Sequence, residues 1–208
     1  MSSVAEKPSR SRYYSRLKSG PLFWPIFMLT SLPFLVLLWQ VLSNQLGPDP
    51  AEALMDATGE WALRFLVVVL LARPASQWGW PVLFRHRRML GLAVFFYASL
   101  HLLVFAQVYI GWSAEILAEE LTERPYVIVG VAGWILLLPL AFTSTNNWRR
   151  RLRQHWRQLH RLVYVVAPLV VLHTLWLARS DVGDALFYAA LLAALLLWRT
   201  PIVRGRVR

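Results

Sequence analysis

Cysteine is missing from all 208 positions of the chain. That absence excludes disulfides, thiolate zinc sites, cysteine-ligated iron–sulfur clusters and the C-x-x-C-H attachment of c-type haem. A redox cofactor here must be held by other ligands, and histidine is the obvious one. Charged residues are few, 16% of the total, and acidic side chains number 11 against 22 lysines and arginines. No G-x-G-x-x-G stretch occurs, so no dinucleotide site is expected. No polar stretch is long enough for an appended soluble domain, and no internal repeat is evident.

Apolar residues fill the space left by these absences. They make up 57% of the chain, with a mean hydropathy of +0.46. They come in runs of roughly 17 to 22, the length that crosses a hydrocarbon core about 30 Å thick. Such runs fall at 22–42, 54–72, 89–110, 125–142, 159–178 and 183–199, which predicts an all-α membrane protein of six transmembrane helices. The second run is interrupted by Glu60 and Arg64, and the sixth is short. Breakers at Gly47-Pro48-Asp49-Pro50, Arg73-Pro74 and Arg124-Pro125 mark expected loops. The organisation expected is a basic segment over 1–20, a membrane domain over 21–200 and a basic tail over 201–208. No A-x-A site precedes Leu22, so a cleaved signal peptide is not expected.

The net charge of +11 does not point to nucleic acid, because the basic residues lie in short blocks between apolar runs. Lys7, Arg10, Arg12, Arg16 and Lys18 belong to one side. Arg73, Arg85, Arg87 and Arg88 share it, with Arg149 to Arg151, Arg153, Arg157, Arg161 and then Arg199, Arg204, Arg206 and Arg208. The alternate loops carry Asp49, Glu52, Asp56, Glu115, Glu119, Glu120, Glu123, Asp181 and Asp184, against only Arg124 and Arg179. By the positive-inside rule both termini are expected in the cytoplasm. Residues 113–123 read as an amphipathic helix on the outer surface, with Ile116, Leu117 and Leu121 towards the membrane.

Titratable groups inside a span are costly, so each needs a reason. The chain has five histidines: His86, His101, His155, His160 and His173. Counted from Met89, His101 lies about 18 Å along the third span, and counted from Leu159, His173 lies about 21 Å along the fifth. The two run the same way, so two imidazoles from different helices reach similar depth in the outer half of the bilayer. A haem between helices needs that arrangement, one axial nitrogen from each face. The alternative is a pair of histidines that merely hydrogen-bond across helices, as in a non-redox transporter.

His160 lies about 20 Å below His173 on the same run and would form an inner tier near the cytoplasmic face. On a straight helix the two side chains miss a common face, and a kink at Pro168 is one way to align them. A partner for His160 is not evident: His86 has the right depth but reads as a loop residue among arginines. His155 and His86 read as cytoplasmic surface residues. Arg64, midway along the second span, is either a partner for a haem propionate or a flavin or quinone oxygen, or one half of an i,i+4 ion pair with Glu60.

Ordered along the chain stand Thr58-Gly59-Glu60-Trp61-Ala62-Leu63-Arg64-Phe65-Leu66, Arg87-Arg88-Met89-Leu90-Gly91-Leu92, Leu100-His101-Leu102 and Glu123-Arg124-Pro125-Tyr126. Leu140-Ala141-Phe142-Thr143-Ser144, then Trp156-Arg157-Gln158-Leu159-His160-Arg161-Leu162-Val163-Tyr164 and His173-Thr174-Leu175-Trp176 complete the set. Over residues 20–200 this set resembles the MsrQ (YedZ) family, haem-binding membrane subunits of a periplasmic protein-methionine-sulfoxide reductase system. The resemblance implies a ferric-reductase-like fold in the bacterial inner membrane, one or two haems b and an attributed FMN. It implies electrons arriving from the quinone pool or a cytosolic flavin reductase. They would leave for a periplasmic molybdopterin-containing catalytic subunit that repairs oxidised methionines, with this chain an electron-transfer subunit and not the catalytic one. His101, His160 and His173 match the family's functional histidines; His86 does not. A cytochrome b subunit of another membrane oxidoreductase would use the same ligands.

Overall fold

The computed structural model describes residues 22–178 and 182–199. The basic segment 1–20, the tail 201–208, and Arg179 and Asp181 lie outside the described residues. Nine α-helices make up the described chain, joined by short turns, with no strand among them. They are α1 Phe23–Leu42, α2 Pro50–Gln77, α3 Val82–Val104, α4 Ala114–Glu123 and α5 Pro125–Phe142, followed by α6 Asn146–Leu152, α7 Gln154–Leu159, α8 Val163–Leu177 and α9 Val182–Leu197. A π-helical turn, Phe105–Ile110, extends α3, and a 3-10 turn, His160–Leu162, joins α7 to α8.

Local chemistry sets these boundaries. Asp49 caps α2 by accepting from the Glu52 amide at 3.0 Å, with Pro50 in the first turn where its missing N–H costs nothing. Ser113 caps α4 and Thr145 caps α6 in the same way. Gly111 ends the π turn with φ +58, a left-handed conformation that suits a residue without Cβ.

Four helical runs among the described residues are long and apolar enough to cross a membrane: Phe23–Leu42, Val82–Ile110, Pro125–Phe142 and Gln154–Leu177. The helix Val182–Leu197 is apolar but only 16 residues long. The 28 residues of α2 are ample for a crossing, yet they include Glu52, Asp56, Glu60, Arg64 and Arg73. The outward surface is apolar, with Trp24 63% and Leu29 66% exposed on α1 and Phe187 62% on α9. A water-facing surface would not carry so continuous a patch, and lipid accepts it.

Two boundaries differ from expectation. Arg73-Pro74 is no loop: α2 runs through it to Gln77. A proline inside a helix frees the carbonyl four residues back, here that of Leu70, and this carbonyl accepts a bond from Arg199 Nη2. With the orphan satisfied, the helix continues. The third span begins at Val82, not near Met89, so His86 is a helical residue, half-buried, with Nδ1 on the Val82 carbonyl at 2.9 Å.

The helices close into a ring in which α2 packs on α3, α3 on α5, α5 on α8, α8 on α9, and α9 back on α2, with α1 outside against α3 and α2. Leu66, Leu70, Tyr97, Val166 and Leu192, at most 1% exposed, fill its centre. Trp134 Nε1 donates to Ser99 Oγ at 3.0 Å and ties α5 to α3.

Candidate functional site

Near one end of the ring, His101 from α3 and His173 from α8 face each other. Their ring centroids are 6.2 Å apart and their planes stand at 90°. A metal bound to imidazole nitrogens at about 2 Å on each side holds two such centroids roughly 6 Å apart. The spacing is therefore that of two axial ligands on one iron.

The two rings are mounted alike. His101 Nδ1 donates to the Met55 carbonyl of α2 at 3.0 Å, with Thr58 Oγ1 3.5 Å away. His173 Nδ1 donates to the Tyr126 carbonyl of α5 at 2.8 Å. A carbonyl can only accept, so both rings carry a proton on Nδ1, and in the neutral form each presents an unprotonated Nε2. This is the arrangement that orients and strengthens an imidazole ligand. It also meets the cost of placing these nitrogens inside the membrane, because each has a partner.

The other end of the ring holds a partly open cavity of about 1070 Å³. His160 lines it from the 3-10 turn that joins α7 to α8. Its Nδ1 donates to the Trp156 carbonyl at 3.1 Å and its ring stacks on Trp156 at 4.0 Å. Its Nε2 is buried with no hydrogen-bond partner among the described residues, and so is Nε of Arg199, on the same cavity. Arg73, Arg87, Arg88, Arg157, Arg161 and Arg199 all line it, and no described acidic residue does. Arg88 is fixed by Asn146 Oδ1 at 2.6 Å and by the Ser144 carbonyl. A volume of this size, unopposed cations and an unused imidazole nitrogen together suit a large anionic ligand with an iron or an aromatic face.

Arg64 forms the ion pair with Glu60 at 2.5 Å, lies 4.9 Å from the Trp61 ring and donates from Nε to Tyr188 Oη at 3.4 Å. It joins neither the histidine pair nor the cavity lining. His155 is exposed on α7, and His86 does not line the cavity. The Met55 and Tyr126 carbonyls were not anticipated from sequence, because backbone acceptors carry no residue signature.

Residues 58–171 match the family model described as "Ferric reductase like transmembrane component". A protein-methionine-sulfoxide reductase heme-binding subunit MsrQ from Xanthomonas euvesicatoria pv. vesicatoria is 47% identical over 162 residues, 77% of this chain and 74% of that protein. The protein of the same name from Polaromonas naphthalenivorans is 42% identical over 178 residues, 84% of this chain and 81% of its own. No solved structure gives a significant match. Fold and site thus define a ferric-reductase-like, multi-pass membrane protein with a haem electron-transfer role. Within that class, the chain belongs to the MsrQ family.

Proposed function

We propose that the chain is a b-type cytochrome carrying electrons across the bacterial inner membrane to a periplasmic molybdopterin-containing methionine-sulfoxide reductase. The opposed His101–His173 pair carries this reading, because 6.2 Å between perpendicular rings with both Nδ1 protons committed is the geometry of two axial ligands. A haem held there supplies reversible one-electron chemistry. The protein's part is to fix both imidazoles, keep water away and set the potential through the two carbonyl bonds.

The inner cavity would hold a second cofactor, a haem b for which His160 Nε2 would supply an iron ligand and Arg88 and Arg199 would neutralise the propionates. The buried, unpartnered nitrogens of His160 and Arg199 support this. FMN is the competing occupant, since its phosphate would use the same arginines. Arg64 is a candidate for an outer propionate, sharing its guanidinium with Glu60. The donor is the quinone pool or a cytosolic flavin reductase, and this side of the protein is basic. A methionine-sulfoxide reductase as acceptor is supported by the name the chain's relatives carry, and the molybdopterin is part of the proposal. In this reading α2 and α9 also cross the membrane, making six spans with both termini cytoplasmic.

The deciding measurement is a dithionite-reduced minus oxidised spectrum of detergent-purified protein, with His101→Ala and His173→Ala alongside. A b-type spectrum that diminishes in both variants is expected. A colourless wild type from haem-replete cells would overturn the proposal and favour a transporter whose histidines only bond across helices. Pyridine haemochrome and flavin assays on the same sample count haem and FMN separately.

A further inference from the structure

The carbonyls that anchor the two histidines stand in the same relation to a glycine. Met55 accepts from His101, and Gly59 lies four residues further along α2; Tyr126 accepts from His173, and Gly130 lies four residues further along α5. In an α-helix the carbonyl of residue i bonds the amide of residue i+4, whose side chain flanks that carbonyl on the helix surface. A second donor approaching from outside needs the flank to be bare.

The space at both positions is taken by the imidazoles. A Cβ added at Gly59 would stand 3.0 Å from His101 Nδ1 and 3.1 Å from its Cε1. At Gly130 it would stand 2.9 Å from His173 Cε1 and 3.0 Å from its Nδ1. Gly133, one turn further along α5 and buried, would meet nothing within 4 Å. Glycine is otherwise a poor choice at a helix interior, costing about 1 kcal/mol against alanine. Both glycines accept that cost where a ring lies on them.

We propose that Gly59 and Gly130 are positioning residues for the two axial imidazoles: each bares a helical carbonyl so that His101 and His173 can bond it through Nδ1 and hold Nε2 towards the iron. This rests on the reading of the pair as haem ligands. It makes a prediction opposite to that from helix propensity, under which glycine-to-alanine changes stabilise.

The test is a redox titration and ferric EPR spectrum of haem-loaded wild type, Gly59→Ala, Gly130→Ala and Gly133→Ala. An imidazole that loses its Nδ1–H···O bond is a weaker donor to ferric iron. The midpoint potential should therefore rise in Gly59→Ala and Gly130→Ala, the low-spin signal should shift, and haem retention should fall 10- to 100-fold. Gly133→Ala should match the wild type. If Gly130→Ala does not accumulate, Gly59→Ala decides alone. Haem-replete alanine variants with the wild-type potential and EPR spectrum would overturn the proposal. A wild type that binds no haem would instead overturn the ligand reading beneath it.

Discussion

The imidazole planes of His101 and His173 are perpendicular, and each is held so by a carbonyl on a different helix. The orientation is not left to the chain that carries the histidine. His101 belongs to α3 but is aimed by α2, and His173 belongs to α8 but is aimed by α5. The ring of helices α2–α3–α5–α8 is thus the frame that converts two side chains into one site.

Perpendicular axial planes leave a ferric iron with nearly degenerate d-orbitals, since neither direction in the haem plane is favoured by both ligands. Oxidised protein should show a low-spin EPR signal of large g anisotropy, unlike the rhombic signal of parallel imidazoles. A rhombic spectrum from the outer haem would mean that the two rings turn into line, which requires at least one carbonyl bond to break.

His160→Ala should remove inner cofactor and leave the outer one. With two haems in the wild type, pyridine haemochrome per protein should fall by about half, and the anisotropic signal assigned to His101 and His173 should persist. If the cavity holds FMN instead, haem content will stay constant and only flavin will change. The same preparation gives both numbers.

Much of the site is legible in the sequence because depth in a membrane is a count of residues. His101 and His173 could be matched by counting along two apolar runs, and His160 set apart as an inner tier, because each rise is fixed by helix geometry. The limits were equally physical. Pro74 reads as a stop signal, and only the fold supplies the Arg199 side chain that takes the Leu70 carbonyl and lets α2 continue. The Arg64–Glu60 pair, one of the two readings the sequence left open for Arg64, is present. The glycine notches were not, because what makes Gly59 and Gly130 necessary is a ring arriving from another helix.

Arg199 has two tasks that mutation can separate. It satisfies the Leu70 carbonyl freed by Pro74 and bonds Tyr164 Oη at 2.5 Å, and it offers charge to the cavity. Arg199→Leu should lower thermal stability and weaken the inner cofactor about tenfold or more, as loss of a charged hydrogen bond does. Adding Pro74→Ala restores an N–H for the Leu70 carbonyl, so the double variant should regain stability without regaining cofactor. Recovery of both together would show that the arginine acts on the fold alone.

Tyr97 offers the sharpest stability prediction. It is fully buried on α3, and its hydroxyl donates to the Thr30 carbonyl and accepts from the Phe34 amide, both at 2.9 Å. These two backbone groups bracket Pro33, where α1 already lacks a donor. Most of α1 faces outward, so this bridge is a principal polar tie between α1 and the ring. Tyr97→Phe keeps the ring and its packing against Phe65 and Phe96 but leaves a buried donor and acceptor without this partner. The cost should be about 1–3 kcal/mol, or several degrees in melting temperature for a chain of this size. Haem absorption maxima should not move, because no ligand is touched. Limited proteolysis should cut earlier around Asn44–Pro48, the turn that follows α1. An unchanged melting temperature would mean that α1 repairs the break within itself.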